Sequence, residues 1–321
     1  MKPERLPPIP ADRPIHPPTP EPELGVVSWN MNTSCNYRCT YCTQRVLDDR
    51  GRWARDVPRF LDAFARLPGP WEIKLSGGEP FVHPDFIDVV VGLRTIFRRV
   101  SVVTNFSADD ALLDAFLAAA GDGLGLLSAS LHLDYVALPG EPRGDRRKPD
   151  HLDAFLARCA RVLARLPPGA ALSVTAVATR KSLPELPTLR QRFAAAGVPF
   201  KVQPEKQGRE VIDYAPHEIR ELVALGGHNL TGHLAPDFGG QPCWAGARYF
   251  IVDDRGDAYR CYPARRYRVE ALGNLLDGTF SLAPSPTPCR YRYCNCTVPI
   301  ARGMMPRQAA DDRLLPAGES E

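Results

Sequence analysis

The sequence has no long hydrophobic run and no strong excess of one charge. No apolar stretch approaches the roughly 18 residues that a membrane-spanning helix needs, so no membrane span is expected. Lys and Arg number 40 against 37 Asp and Glu, a net charge of +3. That balance provides no broad electrostatic footprint for nucleic acid or anionic lipid, and neither is expected as a partner. Residues 1–23 lack the apolar stretch of a signal peptide. The expected location is cytoplasmic, where thiols stay reduced and disulfides are rare. Hydrophobic residues at 44% and charged residues at 24% argue against a disordered or fibrous chain.

Proline and cysteine are the residues in excess, 33 and nine in 321. Nine of the prolines fall within residues 1–23, which read as an extended polyproline arm draped on the surface. A strand–helix alternation then begins. Strand-like apolar runs lie at Leu24–Met31, Trp71–Leu75, Val100–Thr104, Gly125–Leu131, Ala171–Ala178 and Phe200–Gln203. Helical patterns lie between and after them at Val57–Leu67, Pro84–Phe97, Ala108–Ala119, His151–Leu166, Leu183–Ala195 and Pro216–Leu225. Strands roughly 25 to 45 residues apart suit βα units on a parallel sheet. Six units are too few to close an eight-stranded barrel, so the expected fold is α/β, a partial (β/α)6 barrel over residues 24–234.

Beyond residue 235 the alternation stops. Arg248–Val252 and Asp257–Cys261 flank Asp253-Asp254-Arg255-Gly256, a hairpin signal with Gly in the loop. Five cysteines crowd between positions 243 and 296, in a segment with little apolar content for a core. A small metal-stapled, cysteine-rich module over residues 235–305 is expected, followed by a tail over 306–321.

In a reducing compartment, clustered cysteines point to metal ligation. The first strand runs into Cys35-Asn-Tyr-Arg-Cys39-Thr-Tyr41-Cys42, three thiols within eight residues. A closed structural zinc site wants four ligands, and so does a ferredoxin cluster. Three thiolates on a four-iron cluster leave one iron open to a small molecule. The second strand ends in Ser76-Gly77-Gly78-Glu79-Pro80, whose glycines permit close backbone approach and whose carboxylate can accept hydrogen bonds from an ammonium group. The third ends in Thr104-Asn105-Phe106-Ser107, polar groups at a barrel mouth that also suit a helix N-cap at Ser107. The fourth carries Ser130, His132 and Asp134, and the sixth leads into Glu205 and Lys206. Ligands of parallel α/β sheets collect at such C-terminal strand ends. Cys159 sits in an amphipathic helix, where a buried and inert thiol is expected.

The Cys35-x3-Cys39-x2-Cys42 spacing, with Tyr41 before the third cysteine, resembles the signature of the radical S-adenosylmethionine (SAM) enzymes. Gly77-Gly78-Glu79-Pro80 is similar to the GGEP motif of that superfamily, and Thr104-Asn105 to its Thr-Asn motif. The resemblance implies that Cys35, Cys39 and Cys42 hold a four-iron, four-sulfur (4Fe-4S) cluster whose open iron binds SAM. It implies SAM contacts from Tyr41, Gly77, Gly78, Glu79, Pro80, Asn105 and Ser130, and substrate-side catalytic roles for His132, Asp134 and Glu205.

The tail resembles the SPASM and twitch extensions of these enzymes, through Cys243-x12-Gly256-x4-Cys261 and the Gly273-Asn274 segment. Five cysteines suffice for one auxiliary 4Fe-4S cluster. Cys243 and Cys261 would be joined by two of Cys289, Cys294 and Cys296, with the fifth spare or a thiol hydrogen donor. A structural zinc ribbon is the alternative for this tail. The implied activity is reductive cleavage of SAM to a 5′-deoxyadenosyl radical that abstracts hydrogen from a substrate. An external one-electron reductant of flavodoxin or ferredoxin type would supply the electron. The expected substrate is a small molecule undergoing oxidation, epimerisation or rearrangement. Modification of a ribosomally made peptide is the enzymatic alternative, and a zinc or iron–sulfur binding module the non-enzymatic one.

Overall fold

The computed structural model describes residues 15–44, 47–133, 135–136, 149–207, 210–225, 238–291, 298 and 302–305. The chain divides into two compact units, one of residues 29–227 and one of residues 1–28 with 228–321. Among the described residues no helix is long and apolar enough to cross a membrane.

The first unit is built on strands β1 (Gly25–Asn32), β2 (Trp71–Gly77), β3 (Arg99–Thr104), β4 (Leu124–Leu131), β5 (Ala171–Ala178) and β6 (Phe200–Pro204), hydrogen-bonded in that order. The first four residues of β1 belong to the other unit. From β2 to β6 every neighbouring pair is parallel. Helices α1 (Trp53–Phe64), α2 (Phe86–Ile96), α3 (Asp110–Ala120), α4 (Pro149–Leu163), α5 (Leu186–Ala195) and α6 (Pro216–Ala224) link or follow the strands. This is the open, parallel α/β architecture of a partial barrel.

The strands explain why. On β5, Leu172, Val174, Ala176 and Ala178 are buried, while the residues between them, Ser173, Thr175 and Val177, are only half-buried. The same alternation runs through β4, with Leu127, Ala129 and Leu131 inward to the helices and Ser128 and Ser130 on the other face. One face of the sheet thus packs under helices, and the other lines a polar, half-open lumen.

Two helix starts differ from the sequence expectation. α1 begins at Trp53, ahead of the expected Val57, and tolerates Pro58 inside it. Proline removes a single donor, and its preference for the first turn made a later start look natural. α2 begins at Phe86 because Pro80–Val82 forms a tight turn, with the His83 amide bonded to the Pro80 carbonyl at 3.1 Å.

In the second unit, β7 (Tyr249–Val252), β8 (Asp257–Tyr259) and β9 (Ala271–Asn274) form an antiparallel meander, with α7 (Tyr262–Tyr267) after β8. Gly256 closes the hairpin at φ +91°, and a Cβ there would lie 2.6 Å from Asn274 Oδ1. Glycine is required by conformation and by space at once. Asn274 Nδ2 in turn donates to the Arg255 carbonyl at 3.0 Å. The unit does possess a core, contrary to the compositional expectation. Cys243, Cys261 and Cys289 are themselves core residues, packed with Tyr249, Tyr291, Met304, Met305 and the N-terminal Val26. The proline-rich segment is fastened to this unit. His16 N donates to Gln241 Oε1 at 3.0 Å, Trp244 Nε1 to the Thr19 carbonyl at 2.9 Å, and Thr19 Oγ1 to the Gly303 carbonyl at 3.0 Å.

The helix-side core of the first unit centres on Phe86, fully buried, with ring centroids 4.5 Å from Phe81 and 5.8 Å from Phe116. Phe86→Ala should destabilise that unit by about 3–5 kcal/mol, read as a fall in its urea midpoint.

Candidate functional site

The loop that follows β1 carries the first three cysteines, and its base is fixed by bonds within the protein. Asp49, 5% exposed, accepts from Thr33 N at 2.7 Å, Ser34 N at 3.1 Å and Ser34 Oγ at 2.7 Å. The loop is therefore pinned at both ends. Asn32, wholly buried, donates through Nδ2 to the Glu79 carbonyl at 2.8 Å. The amides of Gly78 and Glu79 donate to the Asn32 and Ser34 carbonyls at 2.8 and 2.9 Å. A Cβ on Gly78 would fall 1.9 Å from the Ser34 oxygen. The close backbone approach expected of these glycines is thus to the base of the cysteine loop.

The Glu79 carboxylate is turned inward. It is 1% exposed and accepts from Thr104 Oγ1 at 2.7 Å, Asn105 N at 2.5 Å and Phe81 N at 3.1 Å. These bonds join the end of β2 to the end of β3. Burial pushes its carboxyl up to about 7, against the pull of those three donors. Pro80 is buried in the turn behind it. Asn105 then reaches the cysteine loop, Nδ2 donating to Asn36 Oδ1 at 2.8 Å, while Asn36 Nδ2 donates to Ser107 Oγ at 2.8 Å. Ser107 is engaged here, and the cap of α3 is Asp109, which accepts from Leu112 N at 2.8 Å.

The cysteines differ in setting. Cys35 and Cys39 are half-buried and Cys42 is exposed. Cys35 Sγ accepts from Tyr37 N at 3.3 Å. Burial raises the Cys35 and Cys39 thiols to about 12, and neighbouring negative charge, including Glu79 beside Cys35, adds to it. Such thiols ionise when a cation neutralises them, as a metal centre does. Among the described residues no three Cys, His, Asp or Glu side chains are gathered tightly enough for a single metal ion. A multi-iron cluster, whose ligands each take a different iron, spreads its cysteines more widely.

His132 lies against this loop. Its Nδ1 is 3.3 Å from Cys39 Sγ and 2.7 Å from the Tyr41 hydroxyl, and the Tyr41 ring stacks on it at 6.0 Å. Burial lowers its pKa to about 4, so the ring is neutral. Tyr41 and Glu205 instead line a cavity of about 640 Å³ with Thr40, Cys42, Arg180 and Lys206. Ser130 is half-buried on the lumen face. Asp134 lies outside the described residues.

In the second unit Cys243, Cys261 and Cys289 surround a small cavity of about 10 Å³ together with Arg260 and Tyr291. Burial and the field of the other thiols drive Cys261 far above the ordinary thiol range and Cys289 to about 12. Arg260, 5% exposed, stitches the three segments together. It donates to the Ala245 carbonyl at 2.9 Å, the Pro288 carbonyl at 2.9 Å, the Thr287 carbonyl at 2.7 Å and Glu270 at 3.0 Å. Tyr291 Oη donates to the same carboxylate at 2.5 Å. Cys294 and Cys296 lie outside the described residues. Cys159 is fully buried in α4.

Asp49, Asn32, Asn36 and Arg260 escaped the sequence reading. Asp-Asp-Arg and Tyr-Arg-Cys look like solvated charge, and only their burial distinguishes them. A carboxylate spaced to return to a Thr-Ser pair at a strand end was the available signal for Asp49.

These features meet their class in comparison with known proteins. Residues 29–138 match the family model of the radical SAM superfamily and form a domain of that superfamily, whose enzymes use SAM with a 4Fe-4S cluster. Over 79 residues the chain is 35% identical to the GTP 3′,8-cyclase of Edwardsiella ictaluri (strain 93-146), a match covering 22% of this chain and 24% of that protein. SuiB of Streptococcus suis, solved with S-adenosylmethionine, superposes with a TM-score of 0.52 at 14% identity, covering 80% of this chain and 66% of that one. Native anSMEcpe, solved with AdoMet and the Cp18Cys peptide, gives 0.52 at 16% identity, covering 80% and 78%. The chain thus spans just under two thirds of SuiB, and its match to the cyclase about a quarter of that enzyme. At these identities the two solved structures establish the shared fold.

The Glu79 carboxyl supplies a pH test. Its folded pKa of about 7 lies above the ordinary carboxyl value of 4.5, so folding takes up a proton between those limits. Its contribution is complete below about pH 4.5 and is lost as pH rises to 7. The stability gap between wild type and Glu79→Gln should narrow or reverse over that window by up to ~3 kcal/mol, read from urea unfolding at stepped pH.

Proposed function

We propose that this chain is a radical SAM enzyme acting on a polar small molecule, with an auxiliary cluster in its second unit. The observation that carries the reading is the Glu79 clamp, which draws the cysteine loop, the Gly77-Gly78-Glu79-Pro80 loop and the Asn105 loop onto one barrel mouth. Cys35, Cys39 and Cys42 would hold the 4Fe-4S cluster, with SAM at its open iron. When bound and reduced by an external one-electron donor of flavodoxin or ferredoxin type, that pair would supply 5′-deoxyadenosyl radical chemistry for hydrogen abstraction from a substrate carbon, with methionine as the other product of SAM cleavage. The residues of the chain orient and shield that chemistry. Neutral His132 packs against Cys39, and the Tyr41 hydroxyl fixes the ring. Glu79, its carboxylate enclosed, holds the geometry instead of contacting SAM. Glu205, Lys206 and Arg180 offer charged groups to a substrate in the adjoining cavity.

Cys243, Cys261 and Cys289 are read as three ligands of an auxiliary 4Fe-4S cluster. As thiolates they would repel one another, which suits a centre that brings positive charge, and the buried guanidinium of Arg260 would offset the negative charge left on the ligand set. Cys294 or Cys296 would complete the set. The auxiliary cluster would accept the second electron of a net oxidation. The peptide-modifying reading draws on the fold shared with SuiB, which has also been solved with the precursor peptide SuiA. The polar, hydroxyl-lined lumen favours the small-molecule reading.

Anaerobic reconstitution should give about eight irons and eight sulfides per chain, as two 4Fe-4S clusters require. It should also yield 5′-deoxyadenosine from SAM under dithionite. Cys39→Ala should abolish that product. Zinc bound with no SAM cleavage would sink the reading. Cys289→Ala should lose about four irons and the auxiliary spectroscopic signal while still producing 5′-deoxyadenosine. Cys159→Ala should change neither count.

A further inference from the structure

The lumen face of the barrel sheet carries hydroxyls at Ser128 and Ser130 on β4 and at Ser173 and Thr175 on β5. It also carries two lysines. Lys201 stands on β6, in register with Thr175, whose neighbour across β4 is Ser130. Lys74 stands on β2, in register with Ser101. By strand alternation Lys74 shares its face with Glu72 and Ser76, and Lys201 shares its face with Gln203. Glu72 is fully buried and accepts from Ser101 Oγ at 2.7 Å.

Lys201 is half-buried and forms no ion pair or ammonium hydrogen bond among the described residues. Burial lowers its pKa, and so does the like charge of Lys74, which lies within electrostatic reach across the lumen. No carboxylate contributes to that shift. A lysine half-withdrawn from water and repelled by a second ammonium is a destabilised charge, and an incoming anion relieves both penalties.

We propose that the lumen is built to bind an anionic group of the substrate, a carboxylate or a phosphate, at Lys201 with Lys74 opposite and the Thr175 and Ser130 hydroxyls as further donors. This deepens the small-molecule reading by adding a chemical class. Anion binding is measured without turnover, so the two readings fail separately.

The test is protection of Lys201 from reductive methylation in the anaerobically reconstituted full chain, read by peptide mass spectrometry. Separate arms contain sodium phosphate, sodium acetate, or sodium chloride at matched ionic strength. Phosphate, acetate or both should slow labelling of Lys201 by about threefold or more relative to chloride, with exposed Lys181 unaffected, as expected of a charge-assisted site rather than of screening. Protection by phosphate alone identifies a phosphoryl group, and by acetate alone a carboxylate. Equal labelling in all three arms, or equal protection of Lys181, overturns the proposal. Calorimetric affinity for the protecting anion should fall about tenfold or more in Lys201→Met and stay within about threefold in Lys201→Arg. The labelling arm uses the wild-type chain, so a variant that fails to fold leaves the test standing.

Discussion

The site depends on one buried carboxylate. Glu79 sits where β2 ends, accepts three hydrogen bonds from the ends of β2 and β3, and gives its backbone carbonyl to Asn32 at the end of β1. A carboxylate removed from water costs several kcal/mol unless its lone pairs are filled, so the three donors are held in place by the penalty of releasing them. The loops that carry the cysteines, the two glycines and Asn105 are therefore tied to one another. A conservative amide at this position would preserve shape yet set donor against donor.

Much of this was legible in the sequence, and the reasons are specific. Apolar and polar residues alternate along β2 and β6, as a sheet with one packed and one open face requires, while β1 is buried along its whole length. The cysteine spacing and the Gly-Gly-Glu-Pro run mark which strand ends face the site. What the sequence concealed was direction. Glu79 and His132 read as groups offered to ligands, whereas Glu79 is enclosed by its neighbours and His132 is packed against Cys39 and Tyr41. Side-chain orientation at a strand end is set by tertiary burial, which no local pattern encodes. Arg260 was hidden for the same reason: a basic residue beside a cysteine looks exposed until the carbonyls of Ala245, Thr287 and Pro288 close around it.

The two thiol sites use opposite physics. Around Cys35, Cys39 and Cys42 the loop is partly open, with Cys42 exposed beside a polar cavity, as a centre that exchanges a small molecule requires. Around Cys243, Cys261 and Cys289 the wall is buried, and the buried guanidinium of Arg260 is shared among three carbonyls and Glu270. The auxiliary centre proposed there would be insulated from solvent and ligand alike, which suits electron transfer better than substrate chemistry.

Asp49 has a further consequence. By tying Thr33 and Ser34 to the far end of their own loop, it closes a ring of about sixteen residues with protein bonds alone. The entropy of that closure, about 2–3 kcal/mol for a flexible chain of such length, is met when the protein folds and not when metal arrives. Insertion of the cluster proposed at this loop would then be uncoupled from folding, unlike in a zinc finger. An oxygen-bleached sample would keep its secondary structure and remain a competent acceptor, so repair of a damaged centre would need no refolding.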